Sequence, residues 1–220
     1  MALPRPCLML VTDRSLCGGD DGLVIAVEQA VAGGVDAVQV REKDMPSDQL
    51  ISLAQRLRDA TRDRALLLVN GPLHVALASY ADGVHLPEDL PAGRHGAPAV
   101  ERHRDAFLVG RSVHSLDAAR RAEREGLDYL IAGPVYESRT HPGREPAGVG
   151  LIGEIVSAVG LPVIAIGGID ATRVTEVVRA GASGIAVISA VLGAPDPRAA
   201  ASGLRTALDV AWLSVGTAPA

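Results

Sequence analysis

Eight short runs of Val, Leu, Ile and Ala alternate along the chain with stretches of helical periodicity. No other feature limits the fold as much. The pattern predicts strands at 8–12, 37–41, 65–70, 83–86, 107–112, 129–132, 162–166 and 184–189. It predicts helices at 23–32, 47–60, 72–79, 99–102, 116–125, 151–159, 172–180 and 197–212. Near-continuous apolar strands separated by helices belong to a parallel sheet with both faces covered. Eight such units are the number that closes a barrel. The expected architecture is α/β, a single (β/α)8 TIM barrel over residues 1–220 with a frayed tail at 214–220. A doubly wound open sheet is the rival, but no G-x-G-x-x-G follows the first strand.

An internal repeat supports the barrel. A small-residue turn leading into a strand recurs as Gly34-Val35-Asp36-Ala37, Tyr80-Ala81-Asp82-Gly83, Gly126-Leu127-Asp128-Tyr129 and Gly181-Ala182-Ser183-Gly184. The third positions, 36, 82, 128 and 183, stand 46, 46 and 55 residues apart. An interval of 46 spans two βα units, so the even strands begin alike. The surplus in the last interval falls in the loop at 134–148, which follows the sixth strand and so lies on the catalytic face of a barrel.

Composition removes several function classes. Twenty-one Lys and Arg against 26 Asp and Glu leave a net charge of −5, which disfavours nucleic acid and anionic membrane as partners. One Phe, one Trp and three Tyr cannot build a base-stacking platform. Two cysteines, Cys7 and Cys17, are too few for a disulfide scaffold or a tetrahedral zinc site. No signal peptide and no apolar run of about 20 residues is evident, so a cytoplasmic protein with no membrane contact is expected. A homo-oligomer is left open.

In such a barrel, function sits where strands end. Strands seven and eight end at Gly167-Gly168 and Ile188-Ser189, the customary phosphate position of the fold. Strand two ends Gln39-Val40-Arg41-Glu42-Lys43-Asp44. Alternation puts Gln39 and Arg41 on one face with Lys43 above, suited to an anion, while Glu42 and Asp44 read as a solvated charge run. Asn70 ends strand three, where it serves either a substrate group or an Asn-Gly turn. Ser112 and His114 share a side after strand five, and His suits proton transfer near neutrality. Ser115 is placed to cap the next helix. No histidine spacing suits a transition metal.

These segments together resemble the thiamine phosphate synthase superfamily. The resemblance runs in order over about residues 8–210. It rests on Val38-Gln39-Val40-Arg41-Glu42-Lys43, Val69-Asn70, Asp82-Gly83-Val84-His85-Leu86, Gly110-Arg111-Ser112-Val113-His114-Ser115, Gly133-Pro134-Val135-Tyr136 and the two final strand ends. It implies a barrel acting on a small phosphorylated thiazole. Two branches share the scaffold. The synthase couples thiazole phosphate to a hydroxymethylpyrimidine pyrophosphate with Mg2+, whereas the TenI branch is a metal-free thiazole tautomerase.

Three departures from the synthase pattern favour the tautomerase. Gly71 stands where the synthase has an Asp ligand of Mg2+. The stretch His85-Leu86-Pro87-Glu88-Asp89 is one residue shorter, leaving Asp89 as the remaining ligand. His141 in Ser138-Arg139-Thr140-His141 stands where the synthase has a Lys. The expectation is therefore an isomerase without cofactor, with His114 moving the proton. The resemblance then implies phosphate on Gly167, Gly168, Ile188 and Ser189, with Arg41 and Lys43 on the polar end and Asn70 and Ser112 orienting the ring. Gln39 and Lys43 are synthase-like, so the Mg2+-dependent synthase is the alternative. A non-catalytic thiazole-phosphate-binding regulator is the third reading.

Overall fold

Strands buried on both faces need partners on both edges, and here each finds them by closing a ring. A computed structural model describes residues 2–89, 107–137 and 145–216. The strands are β1 (Cys7–Val11), β2 (Ala37–Val40), β3 (Leu66–Asn70), β4 (Gly83–Leu86), β5 (Leu108–Val113), β6 (Tyr129–Ala132), β7 (Val163–Ile166) and β8 (Gly184–Val187). They pair in sequence order, all parallel, and β8 pairs with β1 to close the barrel. At the seam, a Cβ on Gly184 would fall 2.2 Å from the Cys7 carbonyl oxygen, so the two backbones need glycine there.

Helices Asp20–Ala32, Ser47–Thr61, Leu73–Ala78, Leu116–Arg124, Gly148–Ala158, Val174–Arg179 and Pro197–Gly216 surround the sheet. Their apolar stripes face inward. In Leu116–Arg124 the buried residues are Ala118, Ala119 and Ala122, and Ser115 caps the helix by accepting from the Ala118 N–H. Both cysteines are free. No helix among the described residues is long and apolar enough to cross a membrane.

Three local expectations change. The last helix continues to Gly216, so residues 214–216 are helical rather than frayed, carried by the buried stripe Leu204, Leu208 and Ala211. β8 ends at Val187, where Ile188 turns the backbone (φ −122°, ψ −87°) into a short helix, Ser189–Leu192. An apolar run hides such a turn, because strand and buried helix look alike over a few residues. A 3-10 turn at Arg14–Cys17, capped by Asp13, was not expected. The helix predicted at 99–102, the tail at 217–220 and the loop positions 138–144 lie outside the described residues.

The repeat has a physical meaning. The Asp36 N–H donates to the Leu8 carbonyl, and the Leu8 N–H donates back to the Asp36 carboxylate at 2.7 Å. Asp82 does the same with Leu67, and Asp128 with Val109, each at 2.7 Å. Ser183 keeps the backbone half of the pattern, donating its N–H to the Val163 carbonyl. Each staple sits one residue before the even strand's first pairing and fixes its register against the odd strand. Arg205 and Arg58 also grip Asp36 and Asp82, at 2.8 and 2.6 Å.

Asp128 isolates the contribution of a staple. Asp128→Ala leaves the Val109 N–H without its acceptor and should cost about 1–3 kcal/mol in urea unfolding. Asp128→Asn keeps an acceptor oxygen and should retain most of that stability.

Candidate active site

A cavity of about 420 Å³ opens at the C-terminal ends of the strands. Gln39, Arg41, Lys43, Asn70, Ser112, His114, Gly167, Gly168, Ile188 and Ser189 all line it, and so does Asp89. The structure thus brings every candidate residue to one place. A larger depression of about 890 Å³ lies at the other end, lined by Asp36, Arg58, Arg62 and Asp82 among others. That one is walled by the stapling carboxylates and their ion pairs, so we take the smaller cavity, where polar groups converge, as the site.

The β2 side of the cavity is cationic. Burial lowers the Arg41 pKa, and the Arg41 charge is the main cause that lowers that of Lys43. Two cations held this close repel each other, and an anion between them relieves the repulsion. Asp44 is the solvated residue expected, exposed and gripped by both terminal nitrogens of Arg14 at 2.8 and 2.6 Å. Glu42 is not. It is buried, accepts from the Thr12 hydroxyl at 2.7 Å and from the Arg14 side chain at 3.2 Å, and so braces the β1 and β2 loops. Beneath, the Asn70 amide donates to the buried Gln39 side chain at 3.3 Å, which gives Asn70 a place in the site beyond a turn.

His114 is fixed by a backbone carbonyl. A carbonyl only accepts, so the hydrogen bond to the Gly133 oxygen puts the proton on Nδ1. Nε2 lies 3.9 Å from Glu88 Oε2. Sequence reasoning did not single out Glu88. It stands far from His114 along the chain, and only the pairing of β4 with β5 brings the two together.

His85 was also missed as a functional residue. It is fully buried, with Nε2 2.9 Å from the Ser112 hydroxyl and Nδ1 3.1 Å from the Tyr129 hydroxyl. Its value in the sequence was masked because a histidine at a strand end says nothing of what lies beneath it.

Also lining the cavity, Gly167 (φ +107°) and Gly168 (φ +63°) form the turn after β7. A Cβ on Gly168 would fall 2.4 Å from the Glu137 carbonyl oxygen, so the turn packs against the segment after β6. Arg173 donates to the Gly168 carbonyl and stacks on the Tyr136 ring, 4.6 Å from its centre. A trans peptide points C=O and N–H in opposite directions, so the Ile169 N–H faces away from Arg173. Ser189 starts the short helix beside this turn, and first-turn N–H groups have no partner within their helix.

Mg2+ has a place here in terms of donor chemistry. Among the described residues no three His, Cys, Asp or Glu cluster as a cage. Mg2+ needs no such cage, because it is usually held by one or two carboxylates plus substrate phosphates. Glu88 Oε2 is buried without a hydrogen-bond partner, and Asp89 follows it on the same cavity wall. That pair fits the ion.

The family model described as thiamine monophosphate synthase matches residues 8–191. The chain belongs to this TMP-TENI family. It is 44% identical over 203 residues to the thiamine-phosphate synthase of Methanoculleus marisnigri, covering 90% of this chain and 93% of that one. It is 39% identical over 206 residues to that of Pyrococcus horikoshii, covering 92% and 94%. A solved thiamine phosphate pyrophosphorylase from Pyrococcus furiosus superposes with a TM-score of 0.82 at 38% identity, covering 93% and 96%. These TMP-TENI relatives overturn the expectation of a thiazole tautomerase, since near-full-length matches at about 40% identity carry the synthase name. The physical reason is the β4 loop. Glycine at position 71 removes one carboxylate, but Glu88 and Asp89 still place two on the cavity wall. His141 lies outside the described residues.

His85 should leave a signature in stability. Burial pushes its pKa down to about 3, with Arg111 and Arg41 adding repulsion. In the unfolded chain it titrates near 6.5. The unfolded state therefore binds more protons between these values. The stabilisation is complete above about pH 6.5 and is lost below it, at up to about 1.4 kcal/mol per pH unit. From pH 7 to pH 5 the wild type should lose about 2 kcal/mol more in urea unfolding than His85→Gln does. Equal losses would contradict a neutral buried His85.

Proposed function

We propose that this chain is a thiamine-phosphate synthase, joining a hydroxymethylpyrimidine pyrophosphate to a thiazole phosphate and releasing pyrophosphate. The observation that carries this reading is the near-full-length similarity, at about 40% identity, to proteins of that name. The cavity chemistry supports it. Two phosphorylated substrates need two anion-binding poles. Arg41 and Lys43 supply one, and the Gly167–Gly168 turn with Ile188 and Ser189 supplies the other.

In the reaction, the C–O bond to pyrophosphate breaks and its electron pair leaves on the pyrophosphate oxygen. The lone pair of the thiazole nitrogen forms the new C–N bond. That nitrogen carries no hydrogen, so no base has to take a proton. His114 then serves as a fixed hydrogen-bonding group at the cavity wall, its tautomer set by Gly133. Gln39 and Asn70 offer amide donors and acceptors to ring edges. Arg41 and Lys43 lie where charge accumulates on the departing pyrophosphate, and fixed cations there favour the transition state over the ground state. Mg2+, held by Glu88 and Asp89 with the pyrophosphate oxygens, would neutralise further charge on the leaving group.

The test is an assay with both substrates and Mg2+, following thiamine phosphate and pyrophosphate. They should appear in equal amounts, and chelation of Mg2+ should stop the reaction. Lys43→Ala should lower kcat/KM for the pyrimidine substrate about 10- to 100-fold, the loss of one charged hydrogen bond. Its KM for thiazole phosphate should change little. A folded wild type that forms no thiamine phosphate would overturn the assignment.

A further inference from the structure

A line of hydrogen bonds runs from the barrel interior to the cavity. Tyr129 on β6 and His85 on β4 are both fully buried, their ring centres 5.6 Å apart. The Tyr129 hydroxyl has one hydrogen-bond partner among the described residues, His85 Nδ1 at 3.1 Å. His85 Nε2 in turn is 2.9 Å from Ser112 Oγ, and Ser112 lines the cavity.

The direction of this line follows from satisfying each buried proton. A buried hydroxyl hydrogen without an acceptor is costly, whereas an unused oxygen lone pair is tolerated more often. The Tyr129 hydroxyl therefore donates, and Nδ1 accepts. His85 is neutral at this depth, so its single proton is on Nε2. That N–H donates to Ser112 Oγ. The Ser112 hydrogen is thereby excluded from His85 and turns to the cavity. The opposite direction would strand the Tyr129 hydrogen inside the barrel.

We propose that Tyr129 is a positioning residue which, through the tautomer of His85, makes Ser112 a hydrogen-bond donor and so selects a phosphoryl oxygen in front of it. The phosphorylated nature of the ligand rests on the function proposed above, but the tautomer does not. The one hydrogen of Ser112 then favours a group that can accept it, such as a phosphoryl oxygen. Tyr129 touches no substrate and acts only through His85.

The full-length chain labelled with 15N in its histidines tests the tautomer directly. Long-range 1H–15N correlation should find His85 protonated on Nε2 and unprotonated on Nδ1. Protonation on Nδ1 in the wild type overturns the proposal, and this measurement needs no variant. Calorimetric titration with inorganic phosphate and inorganic pyrophosphate then tests the consequence. Ser112→Ala and Tyr129→Phe should each weaken the tighter-binding anion about 2- to 10-fold, one neutral hydrogen bond. The double variant should be no worse than Ser112→Ala alone, because both changes remove the same donated bond. Additive losses overturn the relay. So do unchanged affinity in a folded Tyr129→Phe protein and absence of anion binding by the wild type. Neither readout uses turnover, so a failed synthase assay alongside the expected spectrum and coupling would remove the proposed reaction and leave the relay standing.

Discussion

The aspartate staples at the barrel floor decide what the cavity contains. In a strand, side chains alternate sides, so a slip of one residue would turn every inward group outward. Asp36, Asp82 and Asp128 each exchange hydrogen bonds with the neighbouring odd strand and make such a slip costly. Counting three residues up from 36, 82, 128 and 183 gives Gln39, His85, Ile131 and Ala186. Gln39, Ile131 and Ala186 line the cavity, and His85 lies directly under it, bonded to Ser112. One layer from alternate strands is how barrels of this kind fill their interior. The floor thus sets the register that the site reads out.

The same regularity explains what the sequence could reveal. The strands β4 and β6 coincide with the predicted ranges, because each is a short β-branched or apolar run bounded by a turn. The candidate residues also gather as expected, since strand ends converge in a barrel whatever the chemistry. Contacts across strands were not legible. Glu88 meets His114, and Tyr129 meets His85 over a separation of 44 residues. No local pattern marks either pair. Glu42 shows the opposite error, a charge that looks solvated in a run of charges but is buried by Thr12 and Arg14.

The functional misreading has the same root. Gly71 in place of a carboxylate looked decisive when ligands were counted along the chain. In space, Glu88 and Asp89 from the β4 loop line the same cavity as Arg41 and Lys43. A metal bound mostly by substrate oxygens asks for charge in the right region more than for a fixed number of side chains. Motif positions record one way of supplying that charge, and near-full-length similarity to proteins named thiamine-phosphate synthase outweighs them here.

Tyr129 reaches His85 only because residue 110 is glycine. A Cβ there would fall 2.0 Å from the centre of the tyrosine's hydroxyl-bearing edge, at Cζ. The ring occupies the space that a side chain on β5 would fill. Positions 110 and 129 are therefore not free to drift separately through descent. A lineage that gains a methyl at 110 must shrink or displace the aromatic at 129, and with it loses the hydroxyl at the end of the buried line. A mutational path to a larger residue at 110 therefore has to pass first through a smaller or displaced side chain at 129.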